Sequence, residues 1–386
     1  MRILNTILLQ NLELESLQHT IEHDCDYKQD LIWPKTLKQL KIFCSASDDN
    51  EMIRGSLREL SQLIRLAIND SAWQNPPPDG QIWEELIRSS MPLLQKFDFC
   101  FKFWKDLNSS SDITRVVSTF STPFYLKEKS WFIQCDSHHQ QLSIALLYSL
   151  PYAFERLDIV THSFDESVTN LNASSTNDSY KSVQTLMVNV ACQKMNEALI
   201  SGPIVNLNIK TSSIPIDWMY SMNHLRQLSL ENHIDISPKN FLRLLQNAPQ
   251  LHSLSISYYS LEIFTDRWRN MKICALLSLR IRSLKICSSG CFRDYVKIDE
   301  LVHLVRVFYQ RCCHFNVAVH SRNIVAGLIL RDMRHLRSLK VRLKEHGNDR
   351  MITKKWLVEQ NMAYKSLEYS IVVDENEYSF WFGHRR

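Results

Sequence analysis

The chain has 386 residues and 45% of them are hydrophobic, which is too much for one small core and ample for several domains or one extended array. Its net charge of +4 is too small for general nucleic-acid binding, which needs a concentrated basic surface. Only seven glycines occur, and none stands in a phosphate-cradling or dinucleotide-binding pattern, so nucleotide chemistry is not expected.

The first residues, Met1-Arg2-Ile3-Leu4-Asn5-Thr6-Ile7-Leu8-Leu9, hold a short apolar run without a cleavage-site pattern. No apolar stretch in the chain approaches the ~18 residues of a membrane helix. From Leu9 onward a template recurs that reads apolar-x-x-Leu-x-apolar. In chain order its copies are Leu9/Leu12/Leu14, Leu37/Leu40/Ile42, Leu63/Leu66/Ile68, Leu94/Phe97/Phe99, Phe154/Leu157/Ile159, Val183/Leu186/Val188 and Ile204/Leu207/Ile209. The clearest four follow: Leu225/Leu228/Leu230, Leu251/Leu254/Ile256, Ile281/Leu284/Ile286 and Leu336/Leu339/Val341. Weaker copies stand at Trp131/Ile133, Cys312/Phe315/Val317 and Tyr364/Leu367/Tyr369.

Each clear copy is preceded by helical periodicity. Before Leu251, Ser237 can cap and Pro238 can open a helix whose apolar face is Phe241, Leu242, Leu244 and Leu245. About 14 helix-then-strand units at intervals of roughly 21 to 31 residues fall in or near the leucine-rich-repeat range. The strand period of two sends the leucines inward and their neighbours outward. One unit cannot bury its apolar face alone, so units stack into a parallel sheet, which curves because helices are wider than strands. The expected fold is therefore α/β: a single array over 1–386, an irregular leucine-rich-repeat solenoid or horseshoe with parallel strands on the concave face and helices on the convex face. Irregularity is expected because the consensus Asn or Cys is replaced by Ser71, His162, His233, Tyr259, Ser289 and Lys344. Residues 69–82, with Pro76, Pro77 and Pro78, and 161–180, rich in Ser, Thr and Asn, read as irregular loops, the second a mobile one.

One stretch of this chain resembles a known family. Pro78-Asp79-Gly80-Gln81-Ile82-Trp83-Glu84-Glu85 leads into Met91-Pro92-Leu93-Leu94-Gln95-Lys96-Phe97. Phe120-Ser121-Thr122-Pro123-Phe124 follows, with Trp131-Phe132 and Cys135-Asp136, then Leu147-Tyr148-Ser149-Leu150-Pro151-Tyr152-Ala153-Phe154. These residues resemble the large, divergent invertebrate F-box/leucine-rich-repeat proteins, with motifs of moderate specificity over about 57–160 and looser similarity over the rest. In that family an N-terminal F-box docks on the Skp adaptor of a cullin-RING ubiquitin ligase while the repeats hold the substrate. No Leu-Pro-x-Glu opening with its following helices is visible here. The resemblance thus implies a substrate-recognition part, with Skp and cullin as partners only if an F-box is supplied upstream in a longer product. A repeat protein that lost its adaptor-binding part fits the same departure.

Other chemistry is thinly represented. Ten cysteines lie among apolar neighbours without a disulfide framework, and imply the cytosol or nucleus; the Asn172 and Asn177 glycosylation triplets would matter only outside it. His19-x-x-x-His23-x-Cys25 would put two imidazoles on one helical face, as a metal site does, but fits a polar loop after the first strand equally well. Cys287 with Cys291, and Cys312-Cys313-His314, could ligate zinc or serve as core residues of repeat strands. Metal ligands, cofactors and catalytic residues are not expected: no nucleophile elbow or catalytic signature occurs. Tryptophans such as Trp83, Trp104, Trp131, Trp218, Trp268 and Trp356 read as helix-side packing.

What remains is the concave face. Strand alternation lines it with Lys41 and Phe43, Asp98 and Cys100, then Asn206, Asn208 and Lys210, Gln227, Ser229 and Glu231, Ser253, Ser255 and Ser257, Ser283 and Lys285, and Ser338, Lys340 and Arg342. The middle is small and hydroxylic and the end is basic. From Arg267 onward the chain has 23 Lys/Arg against 11 Asp/Glu, a charge of +12 that leaves −8 for the first 266 residues. The expected partner is a protein with acidic or phosphorylated groups for Lys285, Lys340 and Arg342. A stand-alone scaffold is the alternative, as is an RNA-binding solenoid using the basic units; no membrane partner is expected.

Overall fold

The computed structural model describes residues 14–21, 32–44, 50–74, 77–104, 112–137, 144–159, 166–170, 179–189, 199, 202–211, 221–230, 236–287, 295–320, 329, 332–333, 335–343, 352, 369–374 and 377–382. It is a mixed α/β structure with parallel strands in open sheets. Two compact units form, the first built mainly from residues 1–155 with 160–183, the second from 156–159, 184–191 and 203–386. The strands that the template places in one series fall into two sheets, one in each unit.

In the first unit, β1 (Ser16–Ile21), β2 (Gln39–Cys44), β3 (Arg65–Gln74) and β4 (Lys96–Trp104) run parallel, with Leu40, Leu66 and Phe97 in one register row. Their inward residues form one core with α1 (Asn50–Ser56), α2 (Gly80–Ser90) and α3 (Asp112–Thr119). Aromatic packing dominates it: Trp83 lies 5.1 Å from Phe97 and 5.8 Å from Phe101. Asp79 caps α2 by accepting from Gln81 N at 2.8 Å. At the first helical position Gly80 N donates to Thr119 Oγ1 at 2.8 Å, and Gly80 O accepts from the Tyr125 hydroxyl at 2.7 Å. α2 and α3 approach each other at this glycine.

Parallel pairing then stops. β5 (Phe132–Ser137), β6 (Ile144–Leu150) and β8 (Glu166–Thr169) join the sheet antiparallel, β6 on β4 and β5 between β6 and β8. The Trp131/Ile133 copy is thus not a parallel repeat strand. Both expected loops also carry strand. Asn69–Gln74 completes β3 and Gly80–Ile82 opens α2, while Glu166–Thr169 is β8. The period-two pattern of these polar stretches suits an edge or an outward row as well as a loop. Of the expected Leu9/Leu12/Leu14 copy, Leu9 and Leu12 lie outside the described residues, and the first described strand, β1, begins two residues after Leu14.

The second unit holds the regular part. β7 (Arg156–Ile159), β9 (Thr185–Val188), β10 (Asn206–Ile209), β11 (Gln227–Leu230), β12 (Ser253–Ser257), β13 (Ser283–Cys287), β14 (His314–Val319) and β15 (Ser338–Leu343) pair in parallel without a register shift. Leu157, Leu186, Leu207, Leu228, Leu254, Leu284, Phe315 and Leu339 thereby form one buried row. The weak copy around Phe315 is a full member. α4 (Pro238–Asn247) starts as expected, with Ser237 Oγ accepting from Asn240 N and with Phe241, Leu244 and Leu245 buried. α5 (Tyr258–Phe264), α6 (Met271–Arg280) and α7 (Ile298–Phe308) supply the other inward side chains, including Phe264 at 4.8 Å from Phe241. Between α5 and α6, Asp266, Arg267 and Trp268 all have left-handed backbone, with φ of 51°, 50° and 66°. Thr265 Oγ1 holds this turn by accepting from Trp268 N at 3.1 Å, and the Trp268 ring lies parallel to His303 at 5.9 Å.

The sheet ends by reversing direction. β17 (Glu377–Phe382) pairs antiparallel with β15, and β16 (Tyr369–Asp374) pairs antiparallel with β17. The last weak copy therefore contributes Tyr369 to an antiparallel strand, while Tyr364 and Leu367 lie outside the described residues. No described helix is long and apolar enough to cross a membrane.

Candidate protein-interaction face

Side chains that alternate with the buried leucines stand on the opposite face of the second unit's sheet. Because all the parallel pairs share one register, these side chains form rows across the strands. One row runs Thr185, Asn206, Gln227, Ser253, Ser283, His314 and Ser338. The next runs Met187, Asn208, Ser229, Ser255, Lys285, Asn316 and Lys340. Strand alternation thus brings nearly all the expected residues of this unit together. Ser257 pairs with Cys287 but does not join the face: it is buried, and its Oγ caps α5 by accepting from Ser260 N at 3.0 Å, while Arg342 lies opposite Ala318. Lys210 follows β10 and is exposed; Glu231 lies outside the described residues.

The rows are stitched by side-chain contacts. Asn206 Nδ2 donates to Thr185 Oγ1 at 3.0 Å, His314 Nδ1 and Ser338 Oγ share a hydrogen bond of 2.8 Å, and Ser255 Oγ meets Cys287 Sγ at 2.9 Å. These short polar side chains leave the strand backbones close to the surface.

The basic end differs from its expected form. β17 carries Glu377 opposite Arg342, and its carboxylate pairs with Lys340 through Oε1 and with Arg342 through Oε2 at 3.4 Å. Of the three cations, Lys285 alone has no ion-pair partner among the described residues. β17 also places Ser379 beside Lys340 and Trp381 beside Ser338, and Trp381 is 47% exposed. Sequence reasoning missed Glu377, Ser379 and Trp381 because β17 lacks the leucine template. It missed His314 and Asn316 although they flank Phe315, whose copy was recognisable.

In the first unit the expected face residues are partly covered, Cys100 buried and Lys41, Phe43 and Asp98 half-buried. Tyr152 donates to Cys100 Sγ at 3.8 Å, and Phe154 packs edge-on to Phe43 at 6.3 Å. Lys41 Nζ lies over both Phe43 and Phe154, at 5.0 and 5.8 Å. Burial raises the Asp98 carboxyl above its ordinary range, against the pull of Lys96 at 3.0 Å. Beside them lies a buried polar cluster that the sequence did not reveal. Tyr148 donates to Asp136 Oδ2 at 2.5 Å and meets the Tyr180 hydroxyl at 2.7 Å, while Gln134 Nε2 donates to Asp136 Oδ1 at 2.9 Å. Burial raises the Asp136 carboxyl and both phenols.

The candidate metal ligands take other places. His19 is on β1 opposite Ile42, not on a helix, and its ring meets Trp33 edge-on at 6.0 Å. Burial lowers its pKa, and its Nε2 has no hydrogen-bond partner among the described residues. His23, Cys25 and Cys291 lie outside the described residues. Cys312 and His314 diverge: Cys312 is buried, donates to the His314 carbonyl at 3.2 Å and has its thiol pushed up to about 12, while the His314 ring joins the outward row.

A scan against protein-family models and a search of curated proteins return no match to this chain.

Proposed function

We propose that the chain is a non-enzymatic, protein-binding repeat protein of the leucine-rich-repeat solenoid type, acting as the substrate-recognition part of an F-box type ubiquitin ligase. The observation that carries the binding reading is the outward face of the second unit's sheet. Two rows of mainly small, polar side chains lie in register across seven successive parallel strands, from β9 to β15. Such rows give a partner many contact points along one surface, with affinity concentrated in a few anchors. The helices on the other side of the strands are wider than the sheet they cover, which would make the sheet the hollow side of a solenoid. The ligase role rests on the resemblance of residues 57–160, and Skp and cullin would join through an F-box supplied upstream. Reduced, buried thiols such as Cys274 and Cys312 fit action in the cytoplasm or nucleus.

The test is cross-linking mass spectrometry of the full chain in cells, comparing wild type with Ser229→Arg/Ser255→Arg and with Lys272→Glu on α6. Loss of the same partner peptides in the sheet variant alone, with unchanged circular dichroism, is the expected result. Partners lost only in the α6 variant would overturn the reading. Recovery of Skp and cullin tests the ligase role separately.

A further inference from the structure

The part of the face around β13 to β17 combines cations, an exposed aromatic ring and an internal carboxylate. We infer that it takes an acidic protein segment in the polyproline II conformation, lying across the strands with carboxylates three residues apart on Lys285 and Lys340. The inference rests on the protein-binding reading above and adds the chemistry of the partner.

Spacing carries the argument. Lys285 and Lys340 stand in one register row with only Asn316 between them, because β14 separates β13 from β15. Neighbouring strands lie ~4.8 Å apart, so the two lysines are rooted ~9.6 Å apart across the sheet. A β-strand returns a side chain to the same side every ~6.7 Å, then at ~13 Å, and neither interval fits. Polyproline II has three residues per turn and rises ~3.1 Å per residue, which returns a side chain to the same side at ~9.3 Å. Its backbone makes no internal hydrogen bonds, so its carbonyls can accept from the Asn316 amide midway between the lysines.

Two further features support the same ligand. Trp381 is the one large apolar side chain exposed on this sheet face among the described residues, and it stands beside Ser338, at the end of the row next to the cationic one. An exposed aromatic ring is the surface on which proline-containing segments of this conformation pack. The charge on the described face is also unbalanced: Lys285, Lys340 and Arg342 face the single carboxylate of Glu377. Glu377 is an internal competitor. It pairs closely with Lys340 and more loosely with Arg342, at 3.4 Å, so an incoming carboxylate must compete with it for Lys340.

Fluorescence anisotropy on the full chain tests this with three fluorescein-labelled peptides: four repeats of Glu-Pro-Pro, four of Gln-Pro-Pro, and an alternating Glu-Thr peptide of equal charge. The Glu-Pro-Pro peptide is expected to bind on the order of tenfold tighter than either control, with affinity falling as salt rises. Lys285→Ala should weaken it about fivefold and Glu377→Gln should strengthen it several-fold, both without change in circular dichroism. Trp381→Phe should bind better than Trp381→Ala. Equal binding by Gln-Pro-Pro or by Glu-Thr would overturn the charge or the spacing argument respectively, and leave the wider protein-binding reading standing. No binding by any peptide, or no response to Glu377→Gln, would also overturn it. The wider reading falls separately, if Ser229→Arg/Ser255→Arg leaves partner capture unchanged.

Discussion

Replacing Gly80 with alanine isolates one close approach in the first unit. A methyl group there would lie 2.4 Å from Thr119 O, 2.5 Å from Thr119 C and 2.7 Å from Phe120 N. All three are backbone atoms at the end of α3, so no rotamer change can relieve the clash. Ordinary contact begins near 3.4 Å, so α2 and α3 must separate by about 1 Å. Overpacking of this kind typically costs ~1–3 kcal/mol. The same separation stretches the bonds that Gly80 makes to Thr119 and Tyr125, each worth ~0.5–1.5 kcal/mol. Against this stands the better helix propensity of alanine, at most ~1 kcal/mol. The net is a loss of roughly 2–4 kcal/mol, so propensity loses to sterics. Urea unfolding followed by near-ultraviolet circular dichroism, which sees the Trp83, Phe97 and Phe101 packing, gives the measurement. A Gly80→Ala protein as stable as wild type would refute the close approach of α2 and α3.

Three further outcomes are expected. Leu254→Asp puts a charge into the buried row between Leu228 and Leu284 and should melt the strands around β12; unchanged hydrogen exchange across β11 to β13 would count against the register. Burial holds the Asp136 carboxyl above its ordinary 3.8 in the folded state, so the unfolded chain releases this proton first as pH rises. Its contribution is then most favourable below that value and declines as pH climbs toward the folded pKa. Asp136→Asn should therefore lose less, relative to wild type, at about pH 8 than at about pH 4, and urea midpoints that differ equally at both would refute this. Among the described cysteines, the partly exposed Cys287 and Cys313 should react with iodoacetamide before the buried Cys44, Cys100, Cys135 and Cys312, as peptide mapping would show.

The parallel ladder of the second unit was legible because each strand states its inward residues twice, as in Leu228 and Leu230 or Leu254 and Ile256. The same alternation carries no direction, so β5 and β17 read no differently from parallel strands. β6 is worse still: five consecutive residues from Ile144 to Tyr148 are all buried and present no alternation at all. The serine rows followed from the pattern, but the pairing of Lys340 and Arg342 with one carboxylate did not. That depends on Glu377, 35 residues beyond Arg342, meeting it across a reversed strand pair that has no leucine signature. The Asp136 cluster was hidden for a related reason, since Asp136, Tyr148 and Tyr180 come from segments joined only by the fold.

That cluster constrains how the first unit can change. Neither phenol, nor the acid that accepts from Tyr148, can be replaced by a shorter or apolar residue on its own without stranding a buried oxygen that water cannot reach. Acceptable substitutions must come as sets, in which strand β5, strand β6 and the segment carrying Tyr180 alter together. Those three places should drift in step, whereas the outward serines of the other unit's sheet can each change without stranding a buried group.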